Sequence, residues 1–539
     1  MTNALQTGMI QLRDATEAIR VRIRNPQRLR ALELFLLVIA WAIAAGALVL
    51  VQIGALEAVD LTLLYLFGGL AAMTLVVHIV LRVVARDADP FLLPIATALN
   101  GLGIAMIYRI DIARGDLGWD AAGVRQIAWT GIAMIAAIVV LLVIRNHRVL
   151  LRYRFTAMAV ALVLLLLPMI PGIGAEINGA QVWIQLGPFS FQPGEIAKIA
   201  LAVFFAGYFV TARDSLSIAG RKVLGLQLPR LRDLGPIALV WAMCMMVLVV
   251  QGDLGTGLLY FGLFTVMLYV ATGRRSWILI GLVLVAFAGG LLWLLTRGEA
   301  EWMQRVGIGV IVLAIVAITG SFAVMALQRW RAGDGIGWIV TGGLSAAAGL
   351  VVAVLLLRLD PAMLEGLGIG RVEARVEGWL RAFDQDVFER QSGSSYQLVQ
   401  GIFGMAAGGL IGTGLGLGRP NIVPHAESDF IMASMGEELG MVGVFAILAL
   451  FLVLASRGIR IGYLGSDDFT RLLATGLAFV IALQVFIVVG GVTRVIPLTG
   501  LTTPFMAAGG SALLANWIIV ALLLRLSDTV RVQRRVVTA

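Results

Sequence analysis

An all-α bundle of membrane-spanning helices is the fold class that this 539-residue sequence predicts. Three observations carry that expectation. Hydrophobic residues make up 60% of the chain and charged residues only 14%, with a mean hydropathy of +0.95; a soluble domain carries about 25% charged residues. The apolar residues gather in long runs, and about 20 of them suffice to span the hydrocarbon. The basic residues sit in short clusters between those runs, as they do in the cytoplasmic loops of polytopic proteins. The formal net charge of +9 is therefore a topology signal, and no nucleic-acid partner is expected.

Taken in order, the chain opens with a polar, basic segment, 1–30, holding Arg13, Arg20, Arg22, Arg24, Arg28 and Arg30. A cleavable signal would begin with a short basic region and an apolar core of about 7–15 residues; here the first apolar run is long and reads as a retained anchor. Spans are expected at 32–54, 60–83, 90–108, 122–144, 152–170, 190–211, 235–251, 255–272, 276–296, 303–327, 336–358, 429–455, 470–490 and 505–527. With both termini cytoplasmic, the inside segments include RNHRVLLRYR, TGRRS, QRWRAGDG, ASRGIRIG and the tail 528–539, which concentrates Lys and Arg inside. An even number of spans keeps this alternation. Two longer loops then face outside, 171–195 and about 359–428. Within the second, GRVEARVEGWLRAFDQDVFERQ predicts a short amphipathic helix at the interface. The Gly-rich GMAAGGLIGTGLGLGRP after it has no GK[ST] and lacks dinucleotide spacing, so close packing or a re-entrant bend is its reading. One cysteine, Cys244, lies in an apolar run and leaves no disulfide framework and no thiolate metal site.

The ionisable residues inside apolar segments converge on the outer half. Glu195 and Lys198 are spaced i, i+3, share a helix face and are expected to pair; Lys198 is one of two lysines in the chain. Asp253, in QGDLGTG, sits at a tight outer turn, where it could also serve as a helix cap. Arg494, in GVTRVIPLTG, ends the next-to-last span. In PHAESDFIMASMGEELG (424–440), His425, Glu427 and Asp429 lie at the mouth of a span, and Glu437 and Glu438 lie about 12 Å deeper. For the two deeper acids, structural packing is the leading reading; for Asp429, function is. His425, Glu427 and Asp429 at i, i+2, i+4 do not make a closed metal-ligand set. His78 and His147 look incidental. On the residues alone, a transporter and an enzyme with a polar, outward-facing cavity stand level.

Five segments go further: NGAQVWIQLGPFSFQPGEIAKIAL, QGDLGTGLL, SSYQLVQGIFGMAAGGLIGTGLGLG, ESDFIMASMGEELGMVGV and IPLTGLTTPFMAAGGSALLANW. Together, and in this order, they resemble the SEDS family of bacterial membrane proteins, which includes RodA and FtsW, with RodA slightly the nearer. The resemblance implies a ten-helix bundle in the bacterial cytoplasmic (inner) membrane that polymerises lipid II with a class B penicillin-binding protein. It implies a SEDS-like core over 90–527, an added N-terminal pair over 31–84, a second added pair near 303–358, and an extracellular loop near 359–428.

By the same resemblance, Asp429 takes the place of the family's essential aspartate. It would accept the proton of an acceptor hydroxyl as that oxygen attacks an anomeric carbon bearing pyrophosphate, in one inverting displacement. Lys198 and Arg494 have the sign to stabilise the leaving group, with Glu195, Asp253, Glu427 and His425 as further substrate-binding candidates. A divalent cation, Mg or Mn, with Asp429 as ligand, is the candidate cofactor. The chain departs from the family's common E-A-H-T-D-F order, reading His425-Ala426-Glu427-Ser428-Asp429-Phe430. It has Val182 where many members carry a basic residue, and Ala507-Ala508-Gly509-Gly510-Ser511 in place of S-Y-G-G-S. The competing readings are a flippase for lipid-linked precursors and a scaffold for a partner synthase.

Overall fold

The computed structural model describes residues 26–116, 118–177, 180–186, 189–217, 222–223, 226–227, 231–274, 277–278, 281, 327, 330–331, 369–389 and 394–538. The chain divides into two units, Met1–Trp277 with Arg375–Ala539, and Ile278–Ala374. Most of the second unit lies outside the described residues, and with it fall almost all of the expected span 276–296 and the pair 303–327 and 336–358.

Every other expected span is a helix. They are α1 (Pro26–Leu56), α2 (Leu61–Val84), α3 (Leu92–Arg114), α4 (Ala122–Val143), α5 (Arg154–Leu166), α6 (Pro193–Ser217), α7 (Leu231–Gln251) and α8 (Leu254–Thr272). The amphipathic helix is α9 (Ile369–Leu380), followed by α10 (Ser394–Gly408), α11 (Ile431–Leu464), α12 (Asp468–Val492) and α13 (Gly510–Thr538). Among the described residues, nine helices are long and apolar enough to cross a bilayer, and the protein is a multi-pass membrane protein. In lipid the backbone must satisfy its own hydrogen bonds, which is why the apolar runs can only be helices.

Three features depart from the sequence reading. Segment 171–195, expected as an outside loop, carries strands: β1 (Gly174–Ile177), β2 (Ala180–Leu186) and β3 (Phe189–Phe191) form an antiparallel sheet in the order β1-β2-β3. AQVWIQL alternates, with Val182 and Ile184 buried and Gln181 and Gln185 exposed, the period of a one-sided strand. Next, Ser394–Gly408 is a helix despite its glycines. A Cβ on Gly401 would lie 2.6 Å from the Phe430 ring, and one on Gly408 would lie 2.1 Å from the Gly436 carbonyl. Close packing on α11 outweighs the weak helix propensity of glycine. Finally, α11 runs to Leu464, beyond the apolar run, because Arg457 lies over the Phe91 ring at 3.9 Å and Gly458 packs against Ala478.

The interior is built around α3, which is buried along nearly its whole length. The N-terminal pair is part of this bundle. Buried Leu37, Ala40, Ala44, Ala47, Leu48 and Val51 line one stripe of α1 at helical spacing, and Ala44 packs so close to Gly101 of α3 that a Cβ there would be 2.3 Å away. Glu33 receives Arg30 at 2.5 Å and His78 Nδ1 of α2 at 2.6 Å, all buried. His78 is thus not incidental; it fixes α2 to α1. His147 is likewise buried, its Nε2 2.7 Å from the Thr470 hydroxyl.

Candidate active site

The site is assembled by the irregular segment 496–509 between α12 and α13, which touches α3, α4, α8, α9, α12 and the turn before α11. Near its start, Arg375 of α9 donates to the Thr499 carbonyl at 3.0 Å, and a Cβ on Gly255, at the start of α8, would lie 3.0 Å from the same oxygen. In its middle, Gln484 donates to Thr502 O at 2.9 Å. Farther on, Met506 presses on Gly103 of α3, Gln126 donates to Ala507 O at 2.9 Å, and Ala508 N donates to Glu427 O at 2.7 Å.

Asp429 lies two residues before α11, in a turn where the His425 carbonyl accepts from Ser428 N at 3.0 Å and Phe430 N at 3.3 Å. It is half-buried. Burial pushes its carboxyl up to about 6, against the opposing charges of His425 and Arg375. The cation that faces it is Arg375. Gly500, with φ +77°, lies between the two: a Cβ built there would sit 3.5 Å from Arg375 Nη2 and 3.6 Å from Asp429 Oδ2. Because residue 500 has no side chain, it places no side-chain atom of its own between carboxylate and guanidinium. Arg375 also acts on Asp253, whose carboxyl is raised by burial against two hydrogen bonds from Thr256 and the charge of Arg375.

Asp253 caps α8, accepting from Thr256 N at 2.9 Å and from its hydroxyl at 2.6 Å. Its second oxygen also receives Gln192 Nε2 at 3.5 Å. The expected Glu195–Lys198 pair is present: Lys198 Nζ lies 2.5 Å from Glu195 Oε2 and 3.0 Å from Gln484 Oε1, and both charges are buried. Gln484 in turn holds Thr502, so this pair is coupled to the crossing segment through one hydrogen bond.

The family model whose description reads Cell cycle protein (FtsW, RodA, SpoVE) matches residues 90–308 and 303–532. The chain belongs to the FtsW/RodA/SpoVE family. It is 38% identical over 509 residues to the peptidoglycan glycosyltransferase RodA of Mycobacterium tuberculosis, covering 93% of this chain and 91% of that protein. Stage V sporulation protein E of Bacillus subtilis is 28% identical, over 81% of this chain and 96% of its own. Among solved structures, one reported as "Structural coordination of polymerization and crosslinking by a peptidoglycan synthase complex" is similar in fold, with a TM-score of 0.53 at 20% identity, 82% of this chain and 98% of that chain.

Within this family bundle, Arg494 and Glu427 are committed to other partners, while His425 adds its charge to that of Arg375 at Asp429. Arg494, with φ +59°, donates to Trp379 O at 2.8 Å and Leu380 O at 3.0 Å and lies over the Phe383 ring at 5.1 Å. Its guanidinium caps the end of α9. Glu427 is held by Arg114 at 2.7 Å; burial works to raise its carboxyl, but the hydrogen bond and charge of Arg114 outweigh this and hold it below the ordinary value. His425 is exposed, with φ +52°.

Glu437 and Glu438 have the structural role expected of them. Arg419 N donates to Glu437 Oε1 at 2.7 Å, and Gly416 N donates to Glu438 Oε2 at 2.8 Å while Arg109 Nε reaches Glu438 Oε1 at 2.9 Å. Among the described residues, no three His, Cys, Asp or Glu side chains converge as a metal-ligand set. The residue that sequence reasoning missed is Arg375. Its signal lay in the amphipathic segment around 375, assigned there only to the membrane surface.

Proposed function

We propose that this chain is a peptidoglycan glycosyltransferase that polymerises lipid II into glycan strands. It works at the outer face of the bacterial cytoplasmic membrane, with both termini inside and a class B penicillin-binding protein as partner. The observation that carries the reading is the arrangement at Gly500, with a half-buried carboxylate titrating at about 6 on one side and a guanidinium on the other. Family membership and the 38% identity to a RodA support it, and the partner rests on the likeness to a synthase complex.

The chemistry needs both signs of charge. As the acceptor 4-hydroxyl oxygen forms its bond to C1 of the donor sugar, its proton passes to the Asp429 carboxylate. The bond from C1 to the pyrophosphate oxygen breaks, and undecaprenyl pyrophosphate leaves with the electron pair. A single displacement converts the α-linked donor to a β-linked strand. A base with a pKa near the working pH combines a populated carboxylate with useful basicity. Arg375 has the sign and the donors to meet developing negative charge on the leaving group. Lys198 has its ammonium already committed to Glu195 and Gln484, and it supports the crossing segment. A divalent cation, Mg or Mn, would take Asp429 as its ligand; among the described residues no three His, Cys, Asp or Glu side chains gather there.

The test is polymerisation of lipid II by purified protein with its penicillin-binding partner, read as glycan products on a gel. Asp429→Asn keeps the shape but cannot take the proton. Its activity is expected below about one hundredth of wild type, since general-base catalysis contributes typically 10²–10⁴-fold, with membrane abundance unchanged. In wild type, the rate should rise with pH through about 6, because the folded carboxyl holds its proton below that value. Full activity in Asp429→Asn rules out the base. Lipid translocation in proteoliposomes without polymer would favour the flippase.

A further inference from the structure

At the end of the bundle opposite Asp429 lies a cavity of about 470 Å³. Three helices establish the opposition. Asp429 precedes the first turn of α11, whereas Arg457, Arg460 and Ile461 of the cavity lie near its other end, beyond the break at Gly440. In α13 the site-side end is Gly510, and the cavity takes Val530, Arg531, Arg534 and Arg535. In α3 the far end, Arg114, pairs with Glu427, and the near end is led by Phe91, which lines the cavity. Along the unbroken α13, the rise from Gly510 to Arg531 is about 30 Å at 1.5 Å per residue, the thickness of the hydrocarbon core of a bilayer.

The lining is mixed. Five arginines, Arg457, Arg460, Arg531, Arg534 and Arg535, face one carboxylate, Asp89. Asp89 accepts from Arg531 at 2.6 Å and lies 3.7 Å from Arg457. Asp87, beside the cavity, pairs with Arg535. Positive charge remains in excess, and exposed Arg460 has no hydrogen bond or ion pair among the described residues. The lining also holds apolar Leu29, Leu32 and Ile461, and the neighbouring Ile459 is exposed. A basic, water-facing fork beside apolar residues at a membrane interface complements a molecule with an anionic head and hydrocarbon tails. Guanidinium groups match phosphate oxygens bidentately, and basic pockets between membrane helices bind anionic lipid heads.

We propose that this arginine-lined cavity binds the phosphate of an anionic glycerophospholipid from the leaflet opposite the Asp429 site. The lipid bridges α1, α3, α11 and α13, of which α3, α11 and α13 reach the site at their other ends.

The test uses the full-length protein in detergent micelles doped with phosphatidylglycerol or phosphatidylcholine, with bound lipid counted by native mass spectrometry. Wild type should retain phosphatidylglycerol in preference to phosphatidylcholine. Arg460→Gln with Arg534→Gln should weaken phosphatidylglycerol binding about tenfold or more. Arg145→Gln with Arg152→Gln removes the same charge from exposed positions on the same side, away from the cavity, and should leave binding unchanged. Equal loss in both pairs would mean general surface attraction and overturn the site. Displacement of phosphatidylglycerol by millimolar inorganic phosphate, or stronger capture of an acidic peptide than of the lipid, would overturn the lipid as occupant. Because the readout is lipid retention, its failure leaves the polymerase reading untouched.

Discussion

Asp429 and Asp253 come from segments 176 positions apart in the chain, yet both lie under the charge of Arg375. That shared cation makes a residue-scale prediction. Arg375 lowers the carboxyl of Asp429 against the upward push of burial, so its loss should let that carboxyl rise. Arg375→Gln should therefore move the acid limb of the rate–pH profile to higher pH and lower polymerisation at neutral pH on the order of 10²-fold. Arg375→Lys should restore the position of the limb and part of the rate. A residue that merely anchors α9 to Thr499 would lower the rate without moving the limb, and that outcome would remove Arg375 from the site. Asp429 was legible in the sequence because an acid at the mouth of an apolar run is costly without a purpose. Arg375 was not, because a guanidinium on an amphipathic surface helix looks solvated until the crossing segment is folded beneath it. Arg494 shows the converse: its sign suited a phosphate, but the carbonyls at the end of α9 already hold its donors.

At the scale of elements, the break in α11 explains the glycine-rich segment before it. Gly440 has φ +68° and ψ −175°, a region open essentially to glycine alone. The break frees carbonyls and N–H groups in mid-helix, and segment 409–414 satisfies them. Thr413 N and Gly414 N donate to the carbonyls of Glu437 and Glu438 at 2.9 and 3.0 Å, and Met441 N and Val442 N donate to those of Gly409 and Leu410 at 3.0 and 3.1 Å. The glycines were legible as close packing; their partner was not, since nothing local marks Gly440 as a kink. A Cβ on Gly440 would lie 2.3 Å from Gly412 N. Gly440→Ala should thus cost on the order of 3 kcal/mol from strain and overpacking together, seen as a lower midpoint in thermal unfolding of the purified protein. Gly69→Ala, where a Cβ meets nothing within 4 Å, is the control and should unfold as wild type. An unshifted midpoint in Gly440→Ala would mean that the break is not fixed by this contact.

At the scale of the whole molecule, the bundle's two ends must face opposite solvents, and the charge of the short loops gives the expectation of which is which. Apolar runs made the helices legible one at a time, because lipid leaves the backbone no other choice. Their assembly was less so: α1 and α2 read as an appendage, whereas Ala44 against Gly101 and the Arg30–Glu33–His78 cluster bind them to the bundle. Orientation rests on parity. Each expected pair, 31–84 and 303–358, would contribute an even number of crossings and so would leave the core upright; a misread span in either would invert every helix C-terminal to it. Cys244 is the one thiol and is buried, so replacing it with Ser gives a background for single cysteines. A membrane-impermeant maleimide on intact cells should label Asp120→Cys, at the site end after α3, and spare Arg152→Cys at the opposite end until the membrane is opened. Gly333→Cys, in the expected inside linker that lies outside the described residues, should behave like Arg152→Cys. Labelling of Gly333→Cys from outside would mean that 303–327 or 336–358 does not cross, and the expected count of fourteen spans would fall. Protection of Asp120→Cys with labelling of Arg152→Cys would turn the whole bundle over, and the Asp429 site would then open to the cytoplasm, away from sugars presented outside.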